Sequence, residues 1–254
     1  MSVALESFVE AYKYQLGSLE VWPPYWINWD ESPYYLNAPY RGKASPGQLR
    51  RMIERFVISH PSINDPIELR SALKVAGIGI DCSGFVYHIL SAYLRRLGLG
   101  RLGSYLSVPT VDVVKALKQY PERAQNSKLD LNQPTVNMLE LCREWRKNPV
   151  MLANVQRLIE ASDRIEVVSE IMPADMIKMT SKNGDHIGIV VRVGGAEIVY
   201  VASDDDNATP GGITYHSVVL VNPSEQLEAQ IWDQKHIFNP ASTNDGIYRL
   251  KVLA

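Results

Sequence analysis

The sequence predicts an α+β protein, helical over its first two thirds and closed by an antiparallel sheet in its last third. Three observations predict it. Before residue 162, apolar residues recur at helical spacing in several blocks, as in Phe85, Val86, Ile89, Leu90, Tyr93 and Leu94. From Arg164 onward the pattern changes to short apolar runs such as Ile187-Gly188-Ile189-Val190-Val191. Tight-turn signals at Asn183-Gly184 and Gly194-Gly195 separate those runs, as in antiparallel hairpins.

Met1 to Gly17 reads as an amphipathic helix, with Glu6 and Glu10 set among apolar residues. Residues 21 to 47 concentrate aromatics and prolines, including Trp22-Pro23-Pro24-Tyr25-Trp26 and Pro33-Tyr34-Tyr35, and follow no regular period. Such a segment is expected to lie as an extended arm with its large rings buried. The wall of a groove is a compatible second reading. Ser45-Pro46 opens a helix through Leu49, Met52, Ile53 and Phe56, because proline fits the first helical position. Asp65-Pro66 repeats the device ahead of Ile67, Leu69, Leu73 and Val75, and His60 between the two helices reads as a surface residue.

The stretch Gly79-Ile80-Asp81-Cys82-Ser83-Gly84-Phe85-Val86 joins an apolar turn to the next helix. Asp81 or Ser83 would cap it, which places Cys82 in the first turn or just before it. Unpaired backbone N–H groups and the helix dipole favour a thiolate there, and a thiolate attacks carbonyls. A small buried residue capping a core helix is the competing reading of Cys82. His88 lies six residues further along the helix, off the cysteine's face, and is not expected to act as its base.

A second helical block runs from about 109 to 162. It includes a stripe of Met138, Leu141, Cys142 and Trp145, and a helix through Met151, Val155, Leu158 and Ile159. Cys142 on that stripe reads as a core thiol. Strands follow, and His186 opens one of them. An imidazole titrating near neutrality can take a thiol proton and return it to a leaving amine. If the turn at Gly194-Gly195 sets the register, Arg192 faces Glu197 and Ser203 stands opposite His186. Ser203 is then the expected third member, with Asp204, Asp205 or Asp206 as substitutes, or a plain Cys–His pair. The run Asp204-Asp205-Asp206-Asn207 reads as a solvated loop, since it lacks the spaced ligands of a calcium loop. His216 reads as a surface residue or a sheet pair. Gly246 to Leu253 supplies the last strand.

The 254 residues are 46% hydrophobic and 21% charged, as in ordinary globular proteins. A net charge of -2 gives no electrostatic reason to expect nucleic acid or an anionic membrane as partner. Two cysteines make no disulfide scaffold, and both are expected as free thiols. No phosphate-binding glycine loop and no paired Cys/His spacing is present, so neither cofactor nor metal is expected. The N-terminus lacks the basic start and apolar core of a signal peptide, and no run is apolar enough to span a bilayer. A cytoplasmic chain is the expectation, or one exported by another route.

Asp81-Cys82-Ser83-Gly84-Phe85-Val86 resembles the nucleophile motif of the NlpC/P60 cysteine peptidases, and His186-Ile187-Gly188-Ile189 resembles the same family's histidine strand. Pro173-Ala174-Asp175-Met176 resembles its Pro-Gly-Asp-Leu segment, with alanine in place of glycine. Ala38-Pro39-Tyr40-Arg41-Gly42 is similar to its upstream Pro-Tyr segment. Aligning Val201-Ala202-Ser203 with the family's His-Ala-Ser wording puts Val201 at the orienting position, where it cannot hydrogen-bond.

The resemblance implies a single papain-like domain. Its catalytic core would comprise residues 78–100 and 165–254, with a helix and aromatic arm at 1–47 and helical insertions at 47–77 and 101–162. It implies hydrolysis of an amide bond in a peptidoglycan stem peptide, such as a γ-D-glutamyl to diamino-acid linkage. Cys82 would be the nucleophile and His186 the base, with Tyr40, Asp81 and Ser83 holding substrate, while the third residue, Ser203, comes from the hairpin register and not from the resemblance. In relatives the positions of Asp81 and Ser83 help hold the substrate's free amine. Other readings are an acyltransferase on the same core, an inactive protein that binds wall peptides, or an interaction protein that recruits a partner through its aromatic arm.

Overall fold

A computed structural model describes residues 5–26, 42–106, 149–181, 184–205, 211–222, 224–232 and 244–254. Tyr40, Cys142, Asp206 and most of the expected second helical block lie outside the described residues. Helices are concentrated before residue 161, and an antiparallel sheet is built from the last third. The protein is therefore mixed α and β. No described helix is long and apolar enough to cross a membrane.

The N-terminal helix is shorter than its pattern suggests. Helix α1 covers only Glu6–Glu10, and a hairpin follows, β1 (Tyr14–Leu16) and β2 (Leu19–Val21). Tyr12 and Tyr14 are buried while Lys13 and Gln15 are exposed, a period of two that the helical reading passed over. Gly17 at φ +62 makes the turn, a conformation that favours glycine.

Two helices follow the Ser-Pro and Asp-Pro signals, α2 (Pro46–Ser59) and α3 (Pro66–Val75). The Ser45 N–H donates to Gln48 Oε1 at 2.8 Å, and Asp65 Oδ1 accepts from the N–H groups of Ile67 and Glu68. Helix α4 (Cys82–Arg96) is the long central helix, and Phe85, Val86, Ile89, Leu90 and Leu94 are buried along it. The helix expected through Met151 to Ile159 is divided. Pro149–Leu152 forms a single 3-10 turn, and α5 (Val155–Glu160) restarts where Asn154 caps it through the Arg157 N–H.

The sheet strands are β3 (Ser162–Ile165), β4 (Met176–Ser181), β5 (Gly184–Gly194), β6 (Glu197–Asp204), β7 (Gly212–Val219), β8 (Ile231–Trp232) and β9 (Gly246–Leu250). Their order is β3-β9-β4-β5-β6-β7-β8, so the last strand inserts between β3 and β4. Every pair is antiparallel. The larger core gathers Cys82, Phe85, Val86 and Ile89 of α4 with Ile187, Ile189, Val191, Val199 and Val201 of the sheet. A smaller core on other strand positions gathers Ile177, Met179, Val190, Ile198, Tyr200 and Val218.

The β5–β6 register differs from expectation. Gly194 pairs with Glu197, so Arg192 faces Val199 rather than Glu197. A bulge between Val190 and Arg192 then shifts the pairing again, and Gly188 meets Ala202. The same register carried two residues further sets Asp204, not Ser203, across from His186.

Candidate active site

Cys82 is the first residue of α4, and Asp81 caps the helix by accepting the Gly84 N–H at 2.6 Å. The turn before it is clamped on both sides. Ile80 N–H donates to the Pro24 carbonyl, Trp26 N–H donates to the Ile80 carbonyl, and Asp81 N–H donates to the Gly42 carbonyl. The two glycines of the stretch are required by this crowding. A Cβ on Gly79 would stand 2.5 Å from the Pro24 oxygen, and one on Gly84 would stand 2.7 Å from the Gly42 oxygen.

The cysteine is 3% exposed. Backbone N–H groups of Ile187 and Ser83 point at its sulfur. Ile187 follows His186 directly, so the nucleophile stretch and the histidine strand meet at this contact. His186 is 7% exposed and pairs with Met179 of the smaller core, while Ile187 shares the larger core with Cys82. Successive strand residues face opposite sides, so Ile187 is the residue of this pair whose side chain shares the core of Cys82, and His186 stands next to it at the beginning of β5.

The thiol's electrostatics differ from the sequence expectation of a favoured thiolate. Burial pushes the Cys82 pKa up to about 12, and the negative charge of Asp81 adds to the rise. The Lys43 ammonium and the two backbone N–H groups pull it down by less. At neutral pH the resting sulfur is a thiol, and desolvation outweighs the helix N-terminus.

Asp81 and Ser83 are both buried and already engaged. Lys43 Nζ lies 2.8 Å from each Asp81 carboxylate oxygen, 2.5 Å from Ser83 Oγ and 2.6 Å from the Ala153 carbonyl. Sequence reasoning missed Lys43, because a partner 38 residues away leaves no local spacing signal. The Lys43 carbonyl also accepts a hydrogen bond from His88 Nε2 at 2.9 Å. A carbonyl cannot donate, so His88 carries its proton on Nε2, and burial pushes its pKa down to about 4. It is a neutral structural residue.

Ser203 is fully buried, and its Oγ donates to the Ile80 carbonyl at 2.8 Å. The hydroxyl thus ties β6 to the turn that carries Cys82. Val201, where the resemblance would put the orienting residue, is fully buried in the larger core beside Ile189. Asp204 is not the solvated loop residue expected. It is buried at the end of β6, with Oδ2 2.8 Å from His216 Nε2. His216 is correspondingly buried, and its ring packs on Tyr200 with centroids 5.1 Å apart. Asp205 stays exposed and pairs with Lys74.

Tyr25 from the aromatic arm is a second neighbour that the sequence did not single out. It bridges to Ile80, and burial raises its hydroxyl pKa, with Cys82 once ionised and the Asp81, Asp205 and Asp204 carboxylates adding to the rise. One part of the arm therefore lies beside the thiol. Among the described residues, no cluster of three or more His, Cys, Asp or Glu side chains could hold a metal ion. Comparison with family models, with curated proteins and with solved structures finds no match to this chain.

Proposed function

We propose that the chain is a cysteine peptidase or amidase acting on an amide bond of a cell-wall-type peptide. The observation that carries the reading is the meeting of Cys82, at the start of a 15-residue helix, with the backbone of β5 directly beside His186. The resemblance of both stretches to the NlpC/P60 peptidases supplies the substrate class.

In this mechanism His186 takes the proton from Cys82 Sγ as the sulfur attacks the substrate carbonyl. In this reading the backbone N–H of Cys82 at the helix start would help hold the developing oxyanion. The amine leaves with the proton from His186, and water then cleaves the thioester on the same base. Ser203 acts on the turn through Ile80, so the third role falls to another group or the site works as a pair. Asp204 is the candidate that the β5–β6 register favours.

The test is hydrolysis of a panel of muropeptides and free stem peptides by wild type, Cys82→Ala and His186→Ala. Cleavage by wild type alone supports the reading. A well-folded wild type that cleaves nothing, with an unreactive Cys82, rejects it. One observation favours a second reading, a protein that binds wall peptides without cutting them: a thiol buried to 3% exposure with its pKa pushed up to about 12. Saturable binding of the panel by a chain whose Cys82 resists alkylation would select it.

A further inference from the structure

We infer that Lys43 is a tethered ammonium filling the subsite beside Cys82. Resting on the thiol-hydrolase reading for its substrate half, this means that the acyl group delivered to the thiol is neutral or anionic there and carries no free amine. An ammonium has three N–H donors and needs three acceptors when removed from water. Around Lys43 Nζ stand the Asp81 carboxylate, the Ser83 hydroxyl and the Ala153 carbonyl, all within 2.8 Å. They form a complete acceptor set for one primary ammonium. Two of the three come from the residues on either side of Cys82, so the set borders the nucleophile directly.

The lysine enters from outside the helix. It sits on the segment bridged to Ile80, and its side chain is 12% exposed. Asp81 therefore has its charge matched before any substrate arrives. A second cation at this place would meet the Lys43 charge with the Asp81 carboxylate already matched, and at low dielectric that repulsion is large. A neutral or anionic group meets no such penalty. The expectation that Asp81 and Ser83 hold a substrate amine is replaced by an internal amine doing so.

The first test is read on folding and needs no turnover. Lys43→Ala leaves the acceptor set in place with the ammonium gone. Its melting temperature and urea midpoint are measured against n-propylammonium chloride, with n-propanol as the neutral isostere. The inference predicts a saturable rise with the amine for Lys43→Ala, and none for wild type or with the alcohol. The double variant Lys43→Met/Asp81→Asn keeps an apolar stem and a cap but neither charge, and should not respond. A Lys43→Ala chain that ignores the amine, responds equally to the alcohol, or stays unfolded at saturating amine overturns the inference.

The second test reads charge preference at Cys82 in a Cys142→Ser background. The thiolate displaces methanesulfinate from a methanethiosulfonate and forms a mixed disulfide. Wild type should react faster with the anionic 2-sulfonatoethyl reagent than with the cationic 2-aminoethyl reagent. In Lys43→Ala the ratio should move about tenfold or more toward the cation, since Asp81 is then unmatched. An unchanged ratio sinks the substrate half. Failure of the hydrolase reading shows separately, as absence of turnover with any peptide.

Discussion

Asp81→Asn isolates the electrostatics of the candidate nucleophile. The amide oxygen of asparagine can accept the Gly84 N–H as Asp81 Oδ1 does, so the helix keeps its cap. What changes is the charge beside the thiol. Burial is the largest cause of the Cys82 rise to about 12, and Asp81 is the next. Two unit charges about 5 Å apart interact by roughly 3 kcal/mol at an effective dielectric of about 20, a little over two pKa units. Removing one of them should lower the thiol pKa by about one to two units, and the freed Lys43 charge acts in the same direction. Alkylation follows the thiolate fraction, so carbamidomethylation at about pH 8 should accelerate about 10- to 100-fold. The assay is iodoacetamide labelling followed by intact mass, in a Cys142→Ser background, from about pH 7 to 12.5. Leaving Lys43 buried without its carboxylate costs about 3–5 kcal/mol, so labelling is done well below the melting temperature. Local opening would raise the rate across the acidic limb without moving its inflection toward lower pH, whereas a lowered pKa moves the inflection itself. An inflection that stays put or moves up refutes the charge assignment.

Cys82 also makes stability depend on pH. Its pKa is about 12 folded and about 8.5 unfolded, so its contribution is complete below the unfolded value and lost as pH rises between the two. Urea midpoints should fall between about pH 9 and 11 for wild type and less steeply for Cys82→Ala, by up to about 1.4 kcal/mol per pH unit; parallel slopes would contradict the burial effect. Ala174 sits at φ +80, where glycine is favoured, so Ala174→Gly should stabilise by about 0.5–1 kcal/mol after the added freedom of the unfolded chain. That is a rise of about 1–4 °C by calorimetry, and a fall would show that the backbone is unstrained. Ser203→Ala should cost about 1–2 kcal/mol by leaving the Ile80 carbonyl one donor short, with turnover reduced less than tenfold. A loss of about 100-fold or more in a stable Ser203→Ala chain would instead make Ser203 the orienting group.

Several elements were legible because their signals are local. Ser45-Pro46, Asp65-Pro66 and Asp81 each carry a cap and a starting position, and a helix begins at each. The hairpin of β4 and β5 closes Ser181 against Gly184, at the Asn183-Gly184 signal. The misses are non-local or masked by uniform composition. The bulge sits in Val190-Val191, where both residues are apolar and alternation gives no sign of a slip. The insertion of β9 between β3 and β4 depends on pairing across the whole last third of the chain. Lys43 and Asp81 are 38 residues apart, and Asp204 and His216 belong to different strands. Charge on Asp204 argued for solvent, yet a buried partner reverses that rule. Ala174 is the instructive departure. It takes a φ that favours glycine while carrying a side chain.

The central claim is that Cys82 forms a covalent acyl intermediate under control of His186. The most direct measurement is intact mass of the chain quenched during reaction with the wall-peptide panel, for wild type, Cys82→Ala and His186→Ala. The account predicts an adduct on Cys82 in wild type with the mass of the acyl fragment, and none in Cys82→Ala. It predicts adduct formation at least about 100-fold slower in His186→Ala. Cleavage that persists in Cys82→Ala would contradict it, as would a folded wild type that gives neither adduct nor product.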